Sequence, residues 1–411
     1  MTATQPRPAS ENSRDVSEKG KSPVIRQKLS TNVRTDRIAK TAIALGVLAL
    51  LIGFITTVLA TPILPGQGTA IGGFAVLAGA ALAYLSARQT RLSYERTSMD
   101  TIAEQKEARE QEHRREVERD LRARFTDAAT QLGSESFASR VAGAYAIAAL
   151  ADDWSNFGRI PERQVCIDLL CAYLRTPPRD DQEPGAALQE QEVRSTILTV
   201  IARKVRMDPV DGDGPWQDCR FDLRGARLRG VAFERTRFRG QLQFADCVFE
   251  GEASFAHSHL VRADFSGATF KGTADFSSTQ LWNVDLSDVS FDRSANFKRT
   301  QVQQDLDLTS VTVGGRLLNF TAAKFNSQSN TWMRGLDFTY QDGTTVIFTN
   351  AWFRGNVHFE PVEKHLKQVS FNTPQSWKVP PKVPWSDTGI PPAYVRPAVW
   401  PPPRAATHST L

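Results

Sequence analysis

Residues 263–278 read Ala263-Asp-Phe-Ser-Gly-Ala-Thr-Phe-Lys-Gly-Thr-Ala-Asp-Phe-Ser-Ser278. Phe265 and Phe270 stand five residues apart, and Phe276 follows after six. A spacing of five fits neither the 3.6-residue period of a helix nor the two-residue period of a strand. Working outward, the same beat runs through Leu223, Leu228, Phe233, Phe238, Phe244, Phe249, Phe255, Leu260, Phe265, Phe270, Phe276, Leu281, Leu286, Phe291 and Phe297. It continues through Val302, Leu308, Val313, Phe320 and Phe325, and more weakly through Phe338, Phe348, Phe353 and Phe359. These are read as the repeat centres.

Two residues before most centres the side chain is small or modestly apolar: Ala226, Val231, Ala253, Ala263, Ala268, Ala274 and Ala295. The remaining positions are largely Arg, Asp, Ser, Thr, Gly and Gln. Each short unit therefore buries one large and one small side chain. A single unit cannot shield its apolar residue alone, but stacked coils can. Residues 213–360 are expected to form such a solenoid.

The stretches Ala263-Asp-Phe-Ser-Gly267, Ala268-Thr-Phe-Lys-Gly272, Ala274-Asp-Phe-Ser-Ser278 and Ala295-Asn-Phe-Lys-Arg299 resemble the pentapeptide-repeat family, whose pattern is Ala-(Asp/Asn)-(Leu/Phe)-x-x. The resemblance implies a right-handed quadrilateral β-helix with four units per coil. The six-residue steps depart from the pattern, and each must bulge or widen a corner. Together with the helical stretch that begins Arg140-Val-Ala-Gly-Ala-Tyr-Ala-Ile-Ala148, the segment also looks similar to membrane-anchored bacterial members of that family.

Upstream, no charged residue occurs from Thr41 to Ala87, and Pro62, Pro65, Gly66 and Gly68 break the run. A bilayer core of about 30 Å needs about 20 helical residues. The reading is a two-helix transmembrane hairpin over 38–88, with spans at 38–60 and 69–87. Residues 1–40 carry nine Lys or Arg against four acids, and Arg88, Arg91 and Arg96 follow the second span. Positive flanks place both termini and the repeats in the cytoplasm of a multi-pass cell-membrane protein. From Thr41 to Ala87 there is no Asp, Glu, His, Lys or Arg, so the hairpin reads as an anchor without a transport site.

The other expected segments are a disordered basic stretch over 1–37, a charged juxtamembrane helix over 89–134 and a small helical domain over 135–212. Helices are expected near 136–154, 162–174 and 188–205, making a small all-α region. Residues 361–411 hold eleven of the twenty-two prolines and are expected to be a disordered tail. Within it Pro391-Pro-Ala-Tyr394 has the form of a short proline-rich recognition peptide.

No catalytic constellation stands out, and no metal site or cofactor is called. Cys166, Cys171, Cys219 and Cys247 lie in apolar patterns and read as buried thiols. His257 and His259 flank Ser258 but lack further ligands. The reading is a non-enzymatic interaction scaffold with an unnamed protein partner, integral membrane association and a capacity to self-associate. No nucleic acid or small-molecule substrate is expected. An alternative is a DNA mimic that modulates a topoisomerase, which the resemblance would allow. That activity requires an acidic rod, and residues 218–324 carry thirteen acids against fourteen Lys or Arg. A further alternative is a patch for anionic lipid or an acidic partner on Arg224, Arg227, Arg229, Arg235, Arg237 and Arg239.

Overall fold

The computed structural model describes residues 67–178, 184–208 and 212–403, together with Ile52 and Ile55. The chain divides into two units at Ala108–Arg109. Helix α1 runs Gln67–Leu132, α2 Phe137–Asn156, α3 Ile160–Arg175 and α4 Pro184–Lys204. A right-handed β-solenoid of about eight turns follows.

The expected transmembrane hairpin is corrected. Among the described residues no helix is long and apolar enough to cross a membrane. The expected first span, 38–60, lies outside the described residues apart from Ile52 and Ile55, as does the segment 1–37. The integral two-span association and the multi-pass, cytoplasm-facing localisation rested on that hairpin and fall with it.

In the second unit, α1 buries Leu121, Ala128 and Leu132. Gly143 of α2 lets the two helices approach closely, because a Cβ there would lie 2.4 Å from the Leu132 amide nitrogen. Ser136 caps α2 by accepting from the Ser139 amide. Helices α2, α3 and α4 bury Ile147, Leu150, Trp154, Ile167, Leu170, Ile197 and Ile201 against one another. Inside this bundle Glu190 and Arg194 are both buried. Arg194 Nε donates to Glu190 Oε1 at 2.9 Å, and its Nη1 donates to the Leu174 carbonyl at 2.9 Å. Tyr173 donates to Glu190 Oε2 at 2.8 Å. Arg194 thereby ties α4 to the open carbonyls that end α3.

The solenoid has four faces, visited in order by each coil. Parallel register on the first face links Phe221, Leu242, Ala263, Val284, Leu306, Thr331 and Val357. On the second it links Leu228, Phe249, Phe270, Phe291, Val313 and Phe338. On the third it links Val231, Ala253, Ala274, Ala295, Leu318, Val346, Val369 and Val395. On the fourth it links Phe238, Leu260, Leu281, Val302, Phe325, Phe353 and Trp377.

The five-residue unit works through its turn. After each centre the chain must bend by about a quarter turn within three residues. On the first and third faces the amide three residues on donates to the centre's carbonyl, as Ala268 does to Phe265 at 2.9 Å and Thr279 to Phe276 at 3.3 Å. The residue two after the centre then takes a left-handed backbone, with φ of 58° at Asp246, 56° at Ser278 and 55° at Asp288. Short polar residues and Gly tolerate that conformation best, which explains their recurrence there. The Asp or Asn before the centre fixes the same turn. Asp264 Oδ1 accepts from the Ser266 amide at 2.9 Å, and Asp285 Oδ1 accepts from the Ser287 amide at 2.8 Å.

The six-residue steps fall at corners between the second and third faces, as from Phe270 to Phe276, and between the fourth and first, as from Phe238 to Phe244. Gly272 sits in one of them. A Cβ there would come within 2.0 Å of the Gly251 carbonyl oxygen in the coil before. At that corner the extra residue is absorbed by letting backbone touch backbone, which only Gly permits.

Inside, the centres stack. On the third face Phe255, Phe276, Phe297, Phe320, Phe348 and Phe371 lie ring on ring, with centroids 4.9–5.1 Å apart. Burying one such ring contributes about 1.5–3 kcal/mol. The small position before the centre on the fourth face carries buried hydroxyls. Thr279 and Thr300 donate to the Phe255 and Phe276 carbonyls of the preceding coil at 2.9 and 2.7 Å. Each hydroxyl shares its carbonyl with the turn amide of that coil, Ser258 on Phe255 at 3.2 Å and Thr279 on Phe276 at 3.3 Å.

Both ends are covered. At the start, Gln164 of α3 brackets Arg220, donating to its carbonyl at 2.7 Å and accepting from its amide at 3.0 Å. Arg163 donates to the Pro215 carbonyl at 3.1 Å, and buried Trp216 donates to Asp152 at 2.9 Å. At the other end, the expectation of a disordered tail from 361 is corrected through residue 403. Val369 and Val395 extend the third face, and Trp377 extends the fourth. Trp400 meets Phe371, Trp377 and Trp385 edge to face at 5.4, 5.3 and 5.7 Å. The prolines do not prevent this, because the tail pairs only briefly and supplies large rings to the last coil. The solenoid therefore runs past the expected boundary at 360, and its final edge is protected.

Candidate functional site

The repeat centres named from the sequence are all interior, each 1% exposed or less. They build the rod and offer nothing to a ligand. Function therefore belongs to the outward positions, and the fold decides which of these become neighbours. Each unit turns the chain onto the next face. Residues five apart point in different directions, while residues one coil apart line up.

That rule disperses the six arginines. Arg224 lies on the first face and chelates Asp222 through Nε and Nη2, both at 2.9 Å. Arg227, on the second, pairs with Glu250 at 3.0 Å. Arg229 donates to Gln191 of α4 at 2.8 Å. Arg237, on the fourth, pairs with Asp213, and Arg239 reaches the same carboxylate at 2.7 Å. Arg235 sits in the left-handed position after Phe233, with φ of 54°. The set does not form one surface, and most of its charge is locally matched. The Arg224 guanidinium holds the Asp222 carboxyl below its ordinary range.

The two histidines are separated in the same way. His257 occupies a turn with φ of 60°. His259 lies on the fourth-face strand, where its Nδ1 accepts from Arg237 Nε at 3.2 Å. Burial, aided by the Arg237 charge, pushes the His259 pKa down and favours the neutral ring. Among the described residues no group of His, Cys, Asp and Glu is placed to hold a metal ion. The four thiols are buried and unpaired with one another. Burial pushes the Cys166, Cys171 and Cys247 thiols up to about 12, and Cys219 up to about 11. They are poor nucleophiles at neutral pH. The Pro391–Tyr394 peptide is built into the end cap, with Tyr394 donating to Glu363 at 2.8 Å.

Sequence periodicity missed an outward aromatic band. Trp352 stands on the fourth face next to buried Phe353, with the Arg354 guanidinium 4.7 Å and the Lys324 ammonium 5.9 Å from its ring centroid. Lys324 and Trp352 are register partners on adjacent coils. Further toward the start of that face, Trp282 meets His259 edge on at 5.8 Å. On the first face, Trp332 lies between Asp307 and His358 in register. The signal was available: each of these tryptophans adjoins an apolar residue that takes the inward place, as Phe353 does beside Trp352. Half-buried Trp flanked by cations is the composition of protein-binding hot spots.

Two concavities adjoin the helical cap. One, of about 190 Å³, lies among Pro178, Gln191, Arg194, Arg227 and Glu250. The other, of about 520 Å³, is an open groove between the end of α4 and the third face.

Residues 233–280 match the family model described as pentapeptide repeats (9 copies). No curated protein and no solved structure matches the chain.

Proposed function

We propose that this chain is a non-enzymatic protein-interaction scaffold whose binding surface is the outer aromatic band of the fourth face and its junction with the first. The solenoid is a protein-interaction type of fold. The observation that carries the reading is Trp352 held between Arg354 and Lys324 on rigid adjacent coils. A pre-ordered Trp and Arg pair loses little side-chain freedom on docking, so most of its contact energy survives as affinity.

The interior supports the same view. Large side chains fill the rod, and the buried thiols and the neutral, hydrogen-bonded His259 are not poised for chemistry. The near balance of thirteen acids and fourteen bases over 218–324 favours a protein surface over mimicry of a polyanion.

The test places a photo-crosslinking residue at Gln301 on the fourth face, or at Thr269 on the second, in the full chain expressed in its source cells. Discrete adducts are expected from Gln301 and far fewer from Thr269. Trp352→Ala with Arg354→Ala should weaken capture about 30-fold or more, the scale of losing a hot spot of about 2 kcal/mol. Equal adducts from both faces, or capture indifferent to the double substitution, would overturn the assignment.

A further inference from the structure

We infer that the groove between the end of α4 and the third face is an oxyanion site for a phosphate-bearing small molecule with at least two negative charges. This site is separate from the aromatic band and does not rest on it.

The groove is lined by Arg203, Arg206 and Arg235, with His257, Glu234 and Thr199 completing its polar wall. Three guanidiniums thus face one carboxylate. Among the described residues none of the three takes part in an ion pair, unlike Arg224, Arg227, Arg237 and Arg239 nearby. All three are exposed, as is His257. The contrast is informative, because this coil otherwise matches its arginines with acids or an amide.

Backbone pairing holds two of the three side by side. After α4 the chain turns along the fourth-face strand, and Arg206 and Thr236 form an antiparallel bridge. The Met207 amide donates to the Arg235 carbonyl at 2.8 Å, and the Arg237 amide donates to the Val205 carbonyl at 2.8 Å. Arg203 stands one turn earlier, and the Arg206 amide reaches its carbonyl at 3.4 Å. Arg235 and His257 follow one another in the same turn position of successive coils, linked through the Arg235 amide and the Ala256 carbonyl at 2.9 Å. Three forked donors lining one concavity suit a tetrahedral oxyanion with several acceptor oxygens. The volume of about 520 Å³ admits a small molecule and exceeds what a lone sulfate needs.

The probe is inorganic pyrophosphate, titrated calorimetrically into the full chain at low ionic strength, with citrate as a carboxylate control of similar charge. Saturable binding in the sub-millimolar range, about tenfold tighter than citrate, is expected. Arg203→Gln, Arg206→Gln and Arg235→Gln should each weaken it at least fivefold. Arg227→Gln, outside the groove, should leave it unchanged. Circular dichroism and thermal melts confirm folding of every variant. Absence of binding, equal binding of citrate, or equal loss in Arg227→Gln would overturn the site.

Discussion

Phe297→Ala is expected to lower the stability of the second unit by about 3–5 kcal/mol, the range for emptying a large buried ring. Phe297 is fully enclosed between Phe276, at 5.0 Å and 3°, and Phe320, at 4.9 Å and 12°. Its removal breaks one aromatic column in the middle. The neighbouring coils cannot collapse into the gap, because parallel backbone hydrogen bonds fix their spacing. The Phe297 amide donates to Asn319 at 2.7 Å, and the Thr300 amide closes the turn at 3.2 Å. Phe297→Leu keeps most of the volume and should cost less than about 1.5 kcal/mol. Urea unfolding monitored by tryptophan fluorescence checks both. Stability in a solenoid is carried by nearest-neighbour contacts, so the alanine variant should also unfold less cooperatively, with a lower m-value.

The second large effect is expected at Arg194→Ala, again about 3–5 kcal/mol. The substitution leaves the Glu190 carboxylate buried with only Tyr173 and Arg140, at 2.8 and 3.4 Å, to answer it. It also strips the Leu174 and Thr176 carbonyls at the end of α3 of their donor. Helix α4 lies against the third face, and its Gln191 holds Arg229 of the first coil. Loss of the network should therefore loosen the cover on the start of the rod. Arg194→Ala with Glu190→Leu removes both charges and should regain much of the loss, since an uncompensated buried carboxylate causes most of it. Chemical denaturation of the single and double variants measures the difference.

The rod was legible because its two inward positions are chemically distinct from the rest. A large apolar residue every fifth place, with Ala two before it, describes Phe265, Phe270 and Phe276 as the structure places them. The three shorter helices were legible from apolar spacing, and α2, α3 and α4 fall within a few residues of the expected bounds. The uncharged run before Arg88 misled: among the described residues no helix is long and apolar enough to cross a membrane. The tail misled for a different reason. Its prolines suggest an unpaired chain, yet Trp377, Trp385 and Trp400 supply the apolar area that holds it on the last coil.

The arginine set shows what linear reading cannot see. Arg224, Arg229 and Arg239 occupy the same place in their repeats, so they look like a patch in sequence. A bend after every unit sends each to a different face. True neighbours are about one coil apart, as Lys324 and Trp352 are, and longer inserts in the later coils blur that period. The basic groove joins residues of α4 with residues of two coils. No window of sequence contains it.

Coil register underlies both proposed surfaces, and disulfide trapping measures it directly. Gln280 and Gln301 are partners on adjacent coils of the fourth face. In-register strands lie about 4.7–4.9 Å apart, within the usual Cα separation of a disulfide. Under mild oxidation, Gln280→Cys with Gln301→Cys should close a bond in most molecules, located by peptide mapping under non-reducing conditions. Gln280→Cys with Ser290→Cys, closer in sequence but placed on the second face, should not. Bridging of the second pair in preference to the first would contradict the four-sided stack and the surfaces built on it.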